Sequence, residues 1–336
     1  MRFSILIPVY NAEKYLSACM ASILPQVSPE DEIVLCDDSS TDGSLAICKE
    51  FAARYPDTIR IITHEKNEGL LMTRRHLFSA STGDYLFCVD ADDELEENAL
   101  SALNDAIHIS NADMIVFNAV CIHMNQTKEV FKPQLKANHR YAEADKSDVF
   151  QALFQNSYLN SLCTKVFKRG ILDDSVDYTP WKDLTMGEDL FQSYPLFDRA
   201  SSIYYLDQTI YKYIKREGSM TNSGYSGLYR CRCILWPRED QYLASWIPGR
   251  EALAKCYRKR CNEIINYAKT LAMNQRYSAF HREMKQIRQD GFFSVAWNKT
   301  SAMGRYHLYG TLLLHKVDFI LYMVLTGETF LLHFLQ

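Results

Sequence analysis

Three carboxylates fall within four positions in Phe87-Cys88-Val89-Asp90-Ala91-Asp92-Asp93, directly after an apolar run. Like charges at that spacing repel, and gathering them costs stability unless a cation or hydrogen-bond donors compensate. A hard divalent ion held by one or two carboxylates and by the oxygens of a diphosphate meets that need. A solvated acidic turn leading into a helix from Asn98 would also meet it. A second acidic cluster, Asp37-Asp38-Ser39-Ser40-Thr41-Asp42-Gly43, follows the apolar stretch Ile33 to Cys36. Short polar side chains there can accept from nucleobase N–H and ribose hydroxyl groups while capping the next helix. Capping accounts for Thr41 or Asp42, but not for two adjacent carboxylates straight after a strand. Tyr10, after Ile7-Pro8-Val9, offers a ring for base stacking. Arg74, beside Asn67, Gly69 and Arg75 and just ahead of the Asp90 strand, offers a forked donor suited to phosphate. Singly, Tyr10 reads as core and Arg74 as surface charge; their order along successive strands sets them apart.

The elements that must position these residues follow from periodicity. Phe3 to Ile7, Ile33 to Cys36, Ile59 to Ile62, Tyr85 to Val89 and Met114 to Phe117 read as strands. Tyr15 to Leu24 and Cys48 to Tyr55 repeat their apolar residues at helical spacing. The rhythm is that of βαβ units, hence an α/β fold with a mostly parallel sheet flanked by helices. In such sheets ligands bind at the carboxyl ends of the strands, where both acidic clusters fall.

A chain of 336 residues is long for one domain. The pattern suggests a catalytic domain over 1–225 and a helical region over 226–336. Between Arg250 and Arg288 stand ten Lys or Arg residues against three Glu. The tail from His307 to Gln336 is apolar but interrupted by His315, Lys316 and Asp318, so it lacks an uninterrupted spanning run. Two placements fit it: a membrane interface beside the basic helices, or packing on the catalytic domain or a second subunit in a homodimer. A net charge of -4 gives no reason to expect a nucleic-acid partner. The ten cysteines sit in apolar segments without a Cys-x-x-Cys pair, which suggests reduced thiols. Met1-Arg2-Phe3-Ser4-Ile5 runs straight into a strand pattern rather than a signal peptide. The expected compartment is therefore the cytoplasm, with peripheral contact at the inner face of the plasma membrane as the alternative.

The stretches Ser4 to Asn11, Glu32 to Ser44, Asn67-Glu68-Gly69 and Thr82 to Asp93, in this order and spacing, resemble family 2 glycosyltransferases of the GT-A fold. The likeness is greatest to bacterial enzymes that assemble cell-surface polysaccharides. It is close over residues 3 to 110 and thins to islands beyond. It implies a Rossmann-like GT-A domain with Asp38 on the nucleotide base, Pro8 and Tyr10 lining the same pocket, and Asp90 near the ribose. Asp92 would bind Mn2+ or Mg2+ bridging the diphosphate. Met186-Gly187-Glu188-Asp189-Leu190 resembles the family's Glu-Asp segment, which implies Asp189 as general base. Arg216 and Ser219, in a stretch like that following the base, are placed near the diphosphate or acceptor; a strand and a polar loop explain them equally well. The implied activity is inverting transfer from a nucleotide-sugar donor, a UDP-sugar first, to a saccharide or lipid-linked saccharide acceptor.

Two departures stand out. Ser39 replaces the usual Gly, and Thr73-Arg74-Arg75-His76-Leu77 keeps only Arg74 of the usual Ala-Arg-Asn-x-Gly. Other classes fit less well. A haloacid dehalogenase-like phosphatase would use Asp90 as nucleophile, but needs the motif on an early strand and Thr or Val where Glu94 stands. A nicotinamide dehydrogenase needs glycines after the first strand, and Pro8 to Glu13 has none. A non-catalytic nucleotide-sugar-binding protein is disfavoured by the presence of both Asp92 and Asp189.

Overall fold

The computed structural model describes all residues except 156, 183, 185, 217–227, 248, 301–305, 317, 319–320 and 327–336. The chain divides into two units, 1–219 and 220–336.

In the first unit, β1 (Phe3–Val9) and β2 (Glu32–Asp37) are buried along their whole length, as expected of apolar runs covered on both faces of a parallel sheet. With β3 (Ile59–Thr63) and β4 (Tyr85–Cys88) they give the order β3-β2-β1-β4, all parallel. The sheet continues through β9 (Lys165–Lys168), antiparallel to both β4 and β6 (Met114–Ile122), and then β10 (Ser202–Ile214), parallel to β6. Shorter strands complete it: β5 (Glu94–Leu95) and β8 (His139–Ala142) on β10, and β7 (Lys128–Phe131) on β6. The result is a mixed, mostly parallel sheet. It is flanked by α1 (Leu16–Ile23), α2 (Ser44–Arg54), α3 (Leu70–Ala80), α4 (Ala99–Ser110), α5 (Lys146–Gln155) and α6 (Glu188–Arg199).

After β1 the chain moves outward to β2 and β3, then returns to the other side of β1 with β4. That reversal makes the carboxyl ends of β1 and β4 a topological switch point. Pairing of β1 with β4 reaches Leu6↔Cys88, and Pro8, which has no N–H to donate, comes just beyond it. The loops after β1 and β2 are stitched together: the backbone N–H of Thr41 donates to Asn11 Oδ1 (2.8 Å), that of Gly43 to Glu13 Oε2 (3.0 Å), and that of Ala12 to Ser44 Oγ (2.7 Å). At the opposite end of the strands the buried Glu32 accepts from Ser4 Oγ (2.5 Å), the Thr82 N–H (2.6 Å) and hydroxyl (2.8 Å), and Arg60 (2.8 Å).

The second unit is helical: α7 (Leu228–Trp246), α8 (Arg250–Asn274), α9 (Tyr277–Asp290), α10 (Phe292–Asn298) and α11 (Tyr306–Leu314). Trp236, Ile264, Phe280, Met284 and Phe293 centre its core, and Leu313, Leu321 and Leu325 of the apolar tail are buried in the same cluster. Asp318, read from sequence as an interruption, is a buried anion held by Arg288 and by His281 (2.7 Å). Arg260 is buried against Glu239 and Asp240, so part of the basic region is neutralised internally. Among the described residues no helix is long and apolar enough to cross a membrane.

Ser39 has φ +59°, a left-handed conformation that costs a side-chain-bearing residue roughly 1–2 kcal/mol, against roughly 0.5–1 kcal/mol for the extra freedom glycine loses on folding. Ser39→Gly is therefore expected to raise stability by up to about 1 kcal/mol in chemical denaturation, and Ser39→Val to lower it; a destabilised glycine variant would refute this. For Glu32, burial works against ionisation, but the donors from Ser4 and Thr82 and the Arg60 charge outweigh it and hold its pKa below the ordinary value. With the folded pKa depressed, its stabilisation is present above the unfolded value and disappears as pH falls through the folded one. Glu32→Gln should cost about 1–3 kcal/mol at pH 7, and the gap from wild type should narrow below about pH 4.

Candidate functional site

The three clustered acids separate by environment. Asp93 turns inward: it is buried, accepts from Tyr211 Oη (2.6 Å) and from the backbone N–H of Ile214 (2.8 Å), and so ties the acidic loop to β10. Burial, then the charges of Asp90 and Asp92, push its pKa well up. The Tyr211 hydroxyl also accepts the Asp90 N–H (3.2 Å). Asp90 and Asp92 remain partly open. Burial and the neighbouring Asp90 charge raise the pKa of Asp92, opposed by Arg216. Arg216 donates to the main-chain carbonyl of Asp92 and lies 3.8 Å from the centre of the Tyr15 ring. The structure thus brings Arg216 to the acidic loop, whereas Ser219 lies outside the described residues.

Arg74 departs from its expected role. Instead of offering its fork to phosphate, it is 1% exposed and donates through Nη1 to Asp189 Oδ1 (2.5 Å) and through Nη2 to Asp90 Oδ1 (3.1 Å). A guanidinium buried this deeply must be neutralised, and two carboxylates from distant parts of the chain do so. Arg75, whose role the sequence left open, donates to Ser79 Oγ (2.7 Å) and the Asp174 carbonyl (2.5 Å).

Asp189 stands in the first turn of α6, after Gly187 at φ +89°, where the helix dipole favours an anion. Its side chain is 29% exposed, and its hydrogen bonds from Arg74 and from the Leu162 N–H (3.4 Å) both fall on Oδ1. Beside it Glu188 is buried; burial and the Asp189 charge raise its pKa to about 7. Lys165 is fully buried near Asp189, held by the Ser161 carbonyl and Ser193 Oγ (3.2 Å), and burial lowers its pKa to about 7.

Asp38 also differs from a freely available acceptor. It is buried, and takes His64 Nδ1 (2.7 Å) and the Glu68 N–H (2.8 Å) on Oδ1 and the Gly69 N–H (2.9 Å) on Oδ2. It therefore anchors the turn in which Gly69 adopts φ +85°. Next to it Asp37 Oδ1 is buried with no hydrogen-bond partner among the described residues. Tyr10 is 51% exposed, and Pro8, two residues before it, is buried.

Sequence reasoning missed the inward role of Asp93, the bridging Tyr211 and the buried Lys165. Tyr211 and Lys165 lie in strands and carry no local signal of the loops they support. The Asp93–Tyr211 pair becomes visible only through the sheet.

Asp90 and Asp92 form an oxygen-donor pair whose repulsion a hard cation would relieve, so the residues present fit Mg2+ or Mn2+. The profile described as glycosyl transferase family 2 matches residues 4–175. Glycosyltransferase GlyA of Streptococcus pneumoniae is 27% identical over 226 residues, covering 66% of this chain and 31% of GlyA. Glycosyltransferase GlyG of the same organism is 34% identical over 115 residues, covering 34% of this chain and 38% of GlyG. The chain thus spans about a third of the length of these relatives. In fold it is similar to residues 1–349 of Staphylococcus aureus TarS, with TM-score 0.69 and 16% identity over 98% of this chain and 91% of that one. TarS structures include complexes with UDP and with UDP-GlcNAc. The matched profile covers the β1 to β4 switch point, both acidic loops and Arg74, and the chain belongs to glycosyl transferase family 2.

Proposed function

We propose that the first unit transfers a sugar, with inversion, from a UDP-sugar to a hydroxyl of a saccharide or lipid-linked saccharide during cell-surface polysaccharide assembly. The observation that carries this reading is the clamp of Arg74 on Asp90 and Asp189, which holds an acid of the donor loop and the candidate base on one guanidinium. The exposed Tyr10 ring, just beyond the end of β1, suits the face of a nucleobase. UDP is the nucleotide seen with the fold neighbour TarS. Exposed Arg250, Lys255, Arg276, Arg282 and Lys285 on the helical unit suit an acceptor carried on an anionic lipid surface.

Asp189 would accept the proton of the attacking hydroxyl through Oδ2, because both of its described hydrogen bonds fall on Oδ1. Arg74 fixes the rotamer of that carboxylate, and the Leu162 N–H adds a longer contact to the same oxygen. A nucleotide sugar carries its own leaving group, so one displacement from the opposite face suffices and the anomeric centre inverts. A divalent ion at Asp92 would supply positive charge to the departing diphosphate.

Asp189→Asn should lower kcat by about 100-fold to 10,000-fold while leaving donor affinity within about threefold. Arg74→Met, which strips the cation from two acids, should cost about 3–5 kcal/mol of stability. Full activity in the first variant, or unchanged stability in the second, would remove the clamp from the mechanism. For the donor, UDP at about 100 times its Kd should stabilise the wild-type protein by roughly 2.7 kcal/mol in the presence of Mn2+. Asp92→Asn should lose that Mn2+-dependent increment. An equal thermal shift with and without Mn2+ in wild type would refute the metal assignment.

A further inference from the structure

We infer that His64, Glu68 and His76 form a second cation site, selective for zinc-class divalent ions and distinct from the oxygen-donor pair Asp90 and Asp92. One ligand atom from each of the three residues lies within 4.8 Å of the other two. His64 Nε2 and His76 Nδ1 are 2.7 Å apart, and Glu68 Oε2 is 3.9 Å from His76 Nδ1. The residues come from three successive pieces of chain, the end of β3, the turn after it and the helix α3, so a bound ion would fasten all three.

The orientation of His64 gives the site its chemistry. A carboxylate only accepts, so the 2.7 Å contact with Asp38 Oδ1 fixes the proton on His64 Nδ1. Both partners are almost fully buried, with side-chain exposures of 6% and 4%. In neutral His64 the lone pair therefore lies on Nε2, which accepts from His76 Nδ1 and stands 3.4 Å from Cys36 Sγ; a bound ion would take the place of the His76 proton. This carboxylate–histidine arrangement is the one that orients imidazoles toward metals and raises their basicity.

His76 lies 40% exposed at the rim, and its ring meets that of His64 edge-on at 83°. Tetrahedral zinc with bonds of about 2.0–2.1 Å separates two nitrogens by about 3.3 Å, so the pair must part by roughly 0.6 Å. The exposed imidazole of His76 can swing outward by that amount. Three protein ligands leave one position for water. Two imidazoles and one carboxylate favour Zn2+ or Co2+ over Mg2+, the reverse of the donor set at Asp92. The ion would pin the turn that Asp38 anchors through Glu68 and Gly69, and so stiffen it. This holds whether or not Asp38 meets a nucleotide.

The test uses the full chain, stripped with chelator and titrated with Zn2+ by calorimetry and with Co2+ by visible absorption, in excess Mg2+ so that oxygen-donor sites are filled. Wild type should bind one equivalent of Zn2+, show the d–d bands of tetrahedral cobalt and gain thermal stability with Zn2+. His76→Ala, and independently the isosteric Glu68→Gln, should each weaken Zn2+ by about 100-fold or more, beyond the roughly 10–100-fold loss typical of an outer-shell partner. Asp92→Asn should keep the zinc equivalent unchanged. The inference is overturned if wild type binds no zinc under these conditions, if both His76→Ala and Glu68→Gln retain full affinity, or if Asp92→Asn abolishes it.

Discussion

The guanidinium of Arg74 is the constraint from which the site takes its shape. A buried cation is tolerated only where anions face it, and here they come from the end of β4 and the start of α6, far apart in sequence. The same geometry works in the other direction. Asp90 and Asp189 would repel across the cleft without a shared positive charge between them. One planar side chain therefore sets both the position and the mutual orientation of the two acids, a task suited to its fork and unsuited to a point charge on a flexible stem.

Around that clamp the carboxylates sort by what neutralises them. Asp93 is neutralised by the Tyr211 hydroxyl and a β10 amide, Asp38 by an imidazole and two amides, and Glu188 by holding its proton near neutrality. Arg216 and a backbone hydrogen bond only partly offset the burial of Asp92 and its repulsion from Asp90, and Asp37 Oδ1 has no partner among the described residues. Asp38 and Asp93, with their oxygens taken by donors, build the scaffold, whereas Asp90, Asp92 and Asp189 stay partly open to solvent. Proximity in sequence hides this division, since Asp37 and Asp38 are adjacent, as are Asp92 and Asp93.

Much of the first unit was legible from residues alone, because parallel strands buried on both faces are continuous apolar runs: Phe3 to Ile7, Ile33 to Cys36 and Tyr85 to Val89 each became a strand. The strands not foreseen are the short β5, β7, β8 and β9, whose pairing comes from the sheet rather than from their own pattern, and the long β10, whose polar positions break any continuous apolar run. Arg74 was legible as a forked donor ahead of the Asp90 strand, but not the two carboxylates that take its fork. A forked donor beside acidic loops fits a phosphate or a pair of carboxylates equally well, and only burial separates the two. In the helical unit, Asp318 read as a flaw in an apolar tail because its partners Arg288 and His281 are 30 and 37 residues away in sequence.

The choice between Glu188 and Asp189 as the proton acceptor shows why geometry must precede pKa. Glu188 has the value nominally ideal for a base at neutral pH, raised to about 7 by burial and by the Asp189 charge. That same burial withholds it: at 9% exposure, facing the protein interior, it cannot come within hydrogen-bond reach of an incoming hydroxyl. Asp189 is reachable, and Arg74 and Leu162 grip it by one oxygen, leaving the other directed away from both. Its neighbour's reluctance to ionise also limits the negative charge at the start of α6, so that the carboxylate placed by Arg74 is the one left open there.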